Sequence, residues 1–316
     1  MKRLATVSCA TFVLGFAIGG YFLPHPITSM GHSVREKNKD YAFINPLLAC
    51  EFADSKDTKL DAMQTQVRAY INQAKERGEL SDAALYVRVG SGWTGINENM
   101  NFIPASLYKV PVLITYLKLA ETNPTLLDET VTFTNPIEAN TQDIRPGKTL
   151  IEGQTYSIRE LLRRMVVYSD NDAQFFLLNH IDAHYFEDVF SDLGFAPPRP
   201  SVAENAITPK QYAFFLRVLY NSSYLSRSDS EAALKLLSEA EFKDGIEAGL
   251  PQGTIVAHKF GEFKDAMTIE LHDCGIIYSK PHTYTLCVMT KGRKVEDLED
   301  SIKGISKIIY EEQKKI

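Results

Sequence analysis

The stretch Pro104-Ala105-Ser106-Leu107-Tyr108-Lys109 is where this 316-residue chain changes character, and what lies on either side of it decides the fold. Before it, residues 83 to 89 alternate in the manner of a strand. A glycine-rich turn at 90 to 92 leads into a shorter second strand through Asn97, which makes a hairpin. After it, apolar residues recur at helical spacing almost to Leu250, as in 158 to 167, 173 to 180, 209 to 220 and 230 to 239.

Further outward the two chain ends resemble each other. Leu60, Met63, Val67, Ile71 and Ala74 mark an amphipathic helix that stops at Gly78. Strand character returns at 254 to 260, 267 to 279 and 283 to 290, and Val295, Leu298, Ile302, Ile305 and Ile309 lie along a last helix. This order predicts an α/β (α+β) fold: one five-stranded antiparallel sheet with flanking N- and C-terminal helices, and an all-helical subdomain inserted between its second and third strands. A cleft is expected at their junction.

Acyl transfer needs a nucleophile, a base within hydrogen-bond reach, donors for the developing oxyanion and a proton for the leaving group. A helix starting at Ser106 would place Lys109 one turn on, on the same face. The unpaired N–H groups of that helix favour negative charge beside Ser106. Lysine acts as a base only where burial or neighbouring cations lower its pKa. Pro111 removes one hydrogen bond early in this helix. Ser-x-x-Lys alone carries little weight, since about one match is expected by chance in a chain of this length and ordinary composition. Tyr168-Ser169-Asp170-Asn171, between two helical stretches, reads by itself as a helix N-cap cluster. His258-Lys259-Phe260-Gly261 ends a strand with a lysine beside a glycine that permits close backbone approach.

In this order the three motifs carry more than their sum. From about residue 55 to its end the chain resembles the class A β-lactamase and penicillin-binding-protein superfamily, with Ser106-x-x-Lys109, Ser169-Asp170-Asn171 and Lys259-x-Gly261 in matching positions. His272-Asp273-Cys274-Gly275-Ile276-Ile277-Tyr278 is also similar to a stretch of class A relatives. The resemblance implies a serine hydrolase acylated at Ser106, with Lys109 as base. Ser169 would relay a proton to the departing nitrogen, and Asn171 would hold a substrate amide and help fix Lys109. Lys259 would place positive charge near Ser169 and a substrate carboxylate, Gly261 would let the strand approach, and the backbone N–H groups of Ser106 and Glu262 would form the oxyanion hole. The implied partner is a small-molecule β-lactam or a peptidoglycan stem peptide, and no cofactor is needed.

The chain departs from that pattern twice. Class A relatives deacylate with a glutamate on a long loop, but the segment from Asp192 to Thr208 is about a dozen residues too short, and Glu204 is its only glutamate. Phe260 stands where relatives carry a hydroxyl that binds the substrate's carboxylate. Three functions therefore stay open: a β-lactam hydrolase, which these departures would slow, a penicillin-binding D-Ala-D-Ala peptidase of the cell wall, and a binding module without turnover. A Ser-His-Asp triad through His272 and Asp273 is disfavoured, because adjacent strand residues point to opposite faces. No histidine or cysteine spacing implies a metal.

The N-terminus bounds location. Lys2 and Arg3 precede an uncharged run from Leu4 to Leu23, long enough to span a bilayer. Residues 1–23 are expected to be a signal anchor or a cleaved signal peptide, 24–45 a linker and 46–316 the hydrolase domain. The basic residues would keep the N-terminus inside and export the rest, anchored to the membrane or, after cleavage, secreted or periplasmic. A net charge of -6 with no basic stripe argues against nucleic acid. Cys50 lies too far beyond the apolar run for lipid attachment. Cys274 and Cys287 fall nearly opposite each other if their strands turn around Lys280 and Pro281, and are expected to be free, buried thiols.

Overall fold

The computed structural model describes residues 35, 40–47, 56–134, 136, 143–144, 147–199 and 204–316. The apolar run 1–23, Cys9, Cys50 and much of the expected linker lie outside them. Among the described residues no helix is long and apolar enough to cross a membrane.

The helix α1, Asp61–Glu76, buries Met63, Val67, Ile71 and Ala74, the stripe its spacing predicts. It ends before Gly78, whose φ of 78° suits a residue without Cβ. Strands β1, Asp82–Val89, and β2, Gly92–Ile96, form the expected hairpin. Strands β5, Ile255–Lys264, β6, Ile269–Tyr278, and β7, Tyr284–Gly292, complete one sheet in the order β2-β1-β7-β6-β5. Each neighbouring pair in it is antiparallel. The last helix, α8, Val295–Gln313, packs beside α1.

Alternation along the strands splits the core into two layers. Leu85, Val87, Leu271, Leu286 and Val288 meet Val67, Ile71, Ile302 and Ile305 on the face covered by the terminal helices. Ala84, Tyr86, Cys274, Ile276, Cys287 and Met289 face the helical insert. Each such aliphatic side chain, fully buried, contributes about 1.5–3 kcal/mol by leaving water.

The insert contains α2, Lys109–Ala120, α3, Ile158–Val167, α4, Asn171–His180, α5, Ala183–Asp192, α6, Pro209–Asn221, and α7, Arg227–Ser238. Its boundaries follow capping chemistry. Ser157 accepts from Glu160 N–H, Asp170 from Ala173 N–H, and Thr208 forms a capping box with Gln211 behind Pro209.

Three expectations are corrected. The middle of the chain is not helical throughout: β3, Thr130–Thr132, pairs with β4, Thr155–Ser157, as a small separate sheet too short to show a period. A full α-helix does not start at Ser106; residues Ala105–Tyr108 form a 3-10 turn that runs into α2. Cys274 and Cys287 are not free thiols but a disulfide, because register pairs them directly with both side chains on one face.

Candidate active site

Ser106 enters the site from a strained approach. Ala105 has a φ of 47°, a left-handed conformation that costs an alanine about 1–2 kcal/mol. The 3-10 turn then stacks residues three apart, which sets the Lys109 side chain directly against that of Ser106. Lys109 Nζ lies 3.0 Å from Ser106 Oγ, 2.6 Å from Ser169 O, 3.0 Å from Ser169 Oγ and 2.7 Å from Asn171 Oδ1.

Burial holds the Lys109 amine well below the ordinary lysine range, and the nearby Lys259 charge lowers it further, against a smaller opposing effect of Asp170. A neutral amine has two N–H bonds and one lone pair. Ser169 O and Asn171 Oδ1 accept hydrogen bonds and cannot donate, so they take both N–H bonds and leave the lone pair for a hydroxyl proton. Lys109 is thus set up as a base for Ser106.

The Ser169-Asp170-Asn171 turn does two jobs. Asp170 caps α4, and its carboxyl, raised by burial, also accepts from Leu150 N–H. Ser169, at a φ of 57°, projects its hydroxyl between two amines. Lys259 Nζ donates to it at 2.9 Å and to Phe260 O at 3.0 Å. Burial pushes Lys259 down to about 7, opposed by the charge of Asp273. Ser106, Lys109, Ser169 and Lys259 are each at most 3% exposed. One connected path of proton carriers therefore runs from the nucleophile to β5.

Strand β5 is an edge of the sheet and lies against the Ser106 turn. A Cβ on Gly261 would stand 2.8 Å from Pro104 O and 3.2 Å from Leu107 N, so only glycine permits this approach. The strand that carries Glu262 thus packs against the turn that carries Ser106. The Glu262 carboxylate accepts from Asp143 N–H at 2.7 Å and Ile144 N–H at 2.9 Å. Phe260 turns its ring onto Phe242, with centroids 4.4 Å apart, and under Lys259 Nζ at 4.0 Å. The Phe260 side chain is thus a buried ring with no hydroxyl to offer a substrate.

Two sequence candidates separate from this cluster. Glu204 is exposed and makes no hydrogen bond with Ser106, Lys109, Ser169 or Asn171. The neighbouring Asn205 instead pins the loop by exchanging hydrogen bonds with the Arg199 backbone at 2.7 and 2.9 Å. His272 and Asp273 do not form a triad. Asp273 bonds buried His258 at 2.8 Å and accepts from Ile246 N–H at 2.9 Å, while His272 reaches Ile103 O at 3.0 Å. Sequence reasoning missed Asp273 as the charge that supports Lys259, although a buried acid one strand away from the lysine was its available signal.

Solved structures share the fold that carries these residues. The solved structure of PBP-A superposes with a TM-score of 0.68 at 20% identity, over 83% of this chain and 99% of that one. A mutant of PBP-A, solved as an acyl-enzyme complex with penicillin-G, matches at 0.67 and 20%, over 81% and 98%. A class A beta-lactamase from Bacteroides cellulosilyticus DSM 14838 matches at 0.70 and 17%, over 83% and 100%. At these identities they establish the β-lactamase/transpeptidase-like fold alone. No curated protein sequence matches. The beta-lactamase enzyme family matches residues 62–313, nearly the whole folded body, and the chain belongs to that family.

Proposed function

We propose that this protein is a serine hydrolase that is acylated at Ser106 by β-lactams or related amides and releases the acyl group slowly. The observation that carries the reading is the buried Lys109 amine, 3.0 Å from Ser106 Oγ with both of its N–H bonds engaged elsewhere. As Ser106 Oγ attacks the acyl carbon, its proton passes to Lys109 Nζ, and the negative charge on the carbonyl oxygen is taken by the backbone N–H groups of Ser106 and Glu262. The C–N bond then breaks while the nitrogen receives a proton through Ser169 Oγ, which lies between Lys109 and Lys259. The products of this step are an ester on Ser106 and an amine, which leaves from a linear amide and stays attached to the acyl group of an opened β-lactam.

Hydrolysis of that ester requires an activated water. Exposed Glu204 is poorly placed to supply one, which supports a long-lived acyl-enzyme. The same observation favours a second reading, a penicillin-binding D-Ala-D-Ala peptidase acting on cell-wall stem peptides. The convergence of four polar side chains, Lys109, Ser169, Asn171 and Lys259, around Ser106 weighs against a binding module without turnover. The apolar run from Leu4 to Leu23 behind Lys2 and Arg3 supports an exported, membrane-anchored enzyme, or a secreted one after cleavage.

Intact mass of the purified chain after incubation with a penicillin tests this. The expected result is a persistent adduct of one penicillin that is absent from Ser106→Ala. Ser106-dependent ring opening with no lasting adduct would make the enzyme an efficient β-lactamase. Absence of both adduct and ring opening would move the reading to the binding module.

A further inference from the structure

Two buried side chains outside the proton path grip the chain just before the nucleophile. Glu270 and His272 are two apart on β6 and share the face turned to the helical insert. Glu270 Oε2 accepts from Ile103 N–H at 2.8 Å, and His272 Nε2 donates to Ile103 O at 3.0 Å. Both backbone polar groups of one residue are thus held by side chains from a strand about 170 positions away. Neither side chain is itself loose. Lys291 on β7 pairs with Glu270 Oε1 at 2.8 Å, and the Phe102 ring meets His272 edge-on with centroids 5.3 Å apart. On its other side Phe102 exchanges backbone hydrogen bonds with Ile207 at 3.0 and 2.9 Å.

Ile103 is followed by Pro104, by Ala105 in its left-handed conformation and by Ser106. A non-glycine residue persists there only when its flanks are fixed. The Ser106 side is fixed by the 3-10 turn, where Leu107 N–H donates to Pro104 O at 3.0 Å. The other side is fixed by Glu270 and His272. We propose that His272 and Glu270 are positioning residues for Ser106, holding Ile103 so that the Ala105 turn keeps the serine hydroxyl within reach of Lys109. Burial alone would raise Glu270, but its bonds to His272, Lys291 and Ile103 N–H hold the carboxyl below the ordinary range, so it acts as an acceptor at neutral pH.

This inference rests on the reading of Ser106 as an activated nucleophile, so its test uses a serine-directed fluorophosphonate whose reaction does not depend on the natural substrate. Labelling is resolved into a binding constant and a bond-forming rate. His272→Leu is expected to lower the rate by about 10²-fold, the effect of a misplacement near 1 Å, with the binding constant within about threefold. His272→Gln, whose amide reaches the same carbonyl, should recover to within about fivefold of the parent. In an Ala105→Gly background the left-handed turn no longer needs holding, so the loss from His272→Leu should shrink by about tenfold.

A rate for folded His272→Leu equal to the parent would overturn the proposal, as would an equal loss with or without Ala105→Gly. Should His272→Leu fail to fold, the same decision falls to Glu270: Gln keeps an acceptor for Ile103 N–H and should be near parental, whereas Met should be slow, and equality of the two rates overturns the proposal. A parent that does not label at all would overturn both the nucleophile reading and the clamp. A parent that labels, with unaffected variants, removes the clamp alone.

Discussion

The two sides of Ser106 are built to different standards. Toward α4 and β5, Lys109, Ser169, Asn171 and Lys259 converge within hydrogen-bond distance, and Lys109, Ser169 and Lys259 are almost wholly removed from water. Toward the loop that ends at Thr208, Glu204 points to solvent, and Asn205 is occupied with holding the Arg199 backbone. On the proposed reading the first side forms the ester, and on the second Glu204 offers no base within reach of it. The proposed reading makes acylation and hydrolysis separable, because the two halves of the reaction would use different segments of chain.

The strongest way to break this contrast is to remove the base. Lys109→Ala should slow acylation by a penicillin by about 10³–10⁴-fold, read as the rate of adduct formation by mass. Retention of more than a tenth of the parental rate would mean that some other group takes the Ser106 proton. Ser169→Ala should cost less, about 10²-fold, since Lys109 still accepts the first proton and only the relay to the leaving nitrogen is lost.

A smaller effect is expected at Phe260. Phe260→Thr supplies a hydroxyl beside Lys259, and a hydrogen bond to a charged group is worth about 1.5–3 kcal/mol, so penicillin should acylate at least about tenfold faster. The same change removes the stack on Phe242 and should lower stability by about 3 kcal/mol, measured by denaturant unfolding. Faster acylation combined with lower stability would locate the departure at Phe260 in substrate recognition.

The buried amines also predict how stability depends on pH. Lys259 titrates near 7 in the folded chain against an ordinary value of 10.5, so between those values the unfolded chain holds the extra proton. Stability must then rise with pH across that window, by at most about 1.4 kcal/mol per unit for this group, and be lowest at and below pH 7. Lys259→Met should flatten the rise between pH 7 and 9; an unchanged slope would show that Lys259 is not the group that titrates.

Much of this was legible in the sequence because it rests on local chemistry. Alternation located the strands of the main sheet, and the Ser169-Asp170-Asn171 cluster read as a helix N-cap, the role Asp170 takes. The motif order carried Ser106, Lys109, Ser169 and Lys259 to one place. What stayed hidden depends on registers and contacts that spacing does not encode. Cys274 and Cys287 could be seen to fall opposite each other, yet not that they bond. The three-residue strands β3 and β4 are too short to show a period. The grip of Glu270 and His272 on Ile103 joins side chains to backbone across two distant segments.

The sharpest test of the weak side is a change that should do almost nothing. Glu204 is exposed and makes no hydrogen bond with the acylating cluster, so Glu204→Ala should alter the lifetime of the penicillin adduct by less than about twofold, in line with a solvated surface substitution. The adduct's decay would be followed by mass over hours, with the acylation rate as an internal control. If decay instead slowed about tenfold or more with acylation unchanged, Glu204 would have to swing inward in the acyl-enzyme and act as a general base through water, a contribution of that size being ordinary for such a group. The two sides of Ser106 would then differ in when they assemble, with acylation prepared in the resting enzyme and deacylation only after the ester forms.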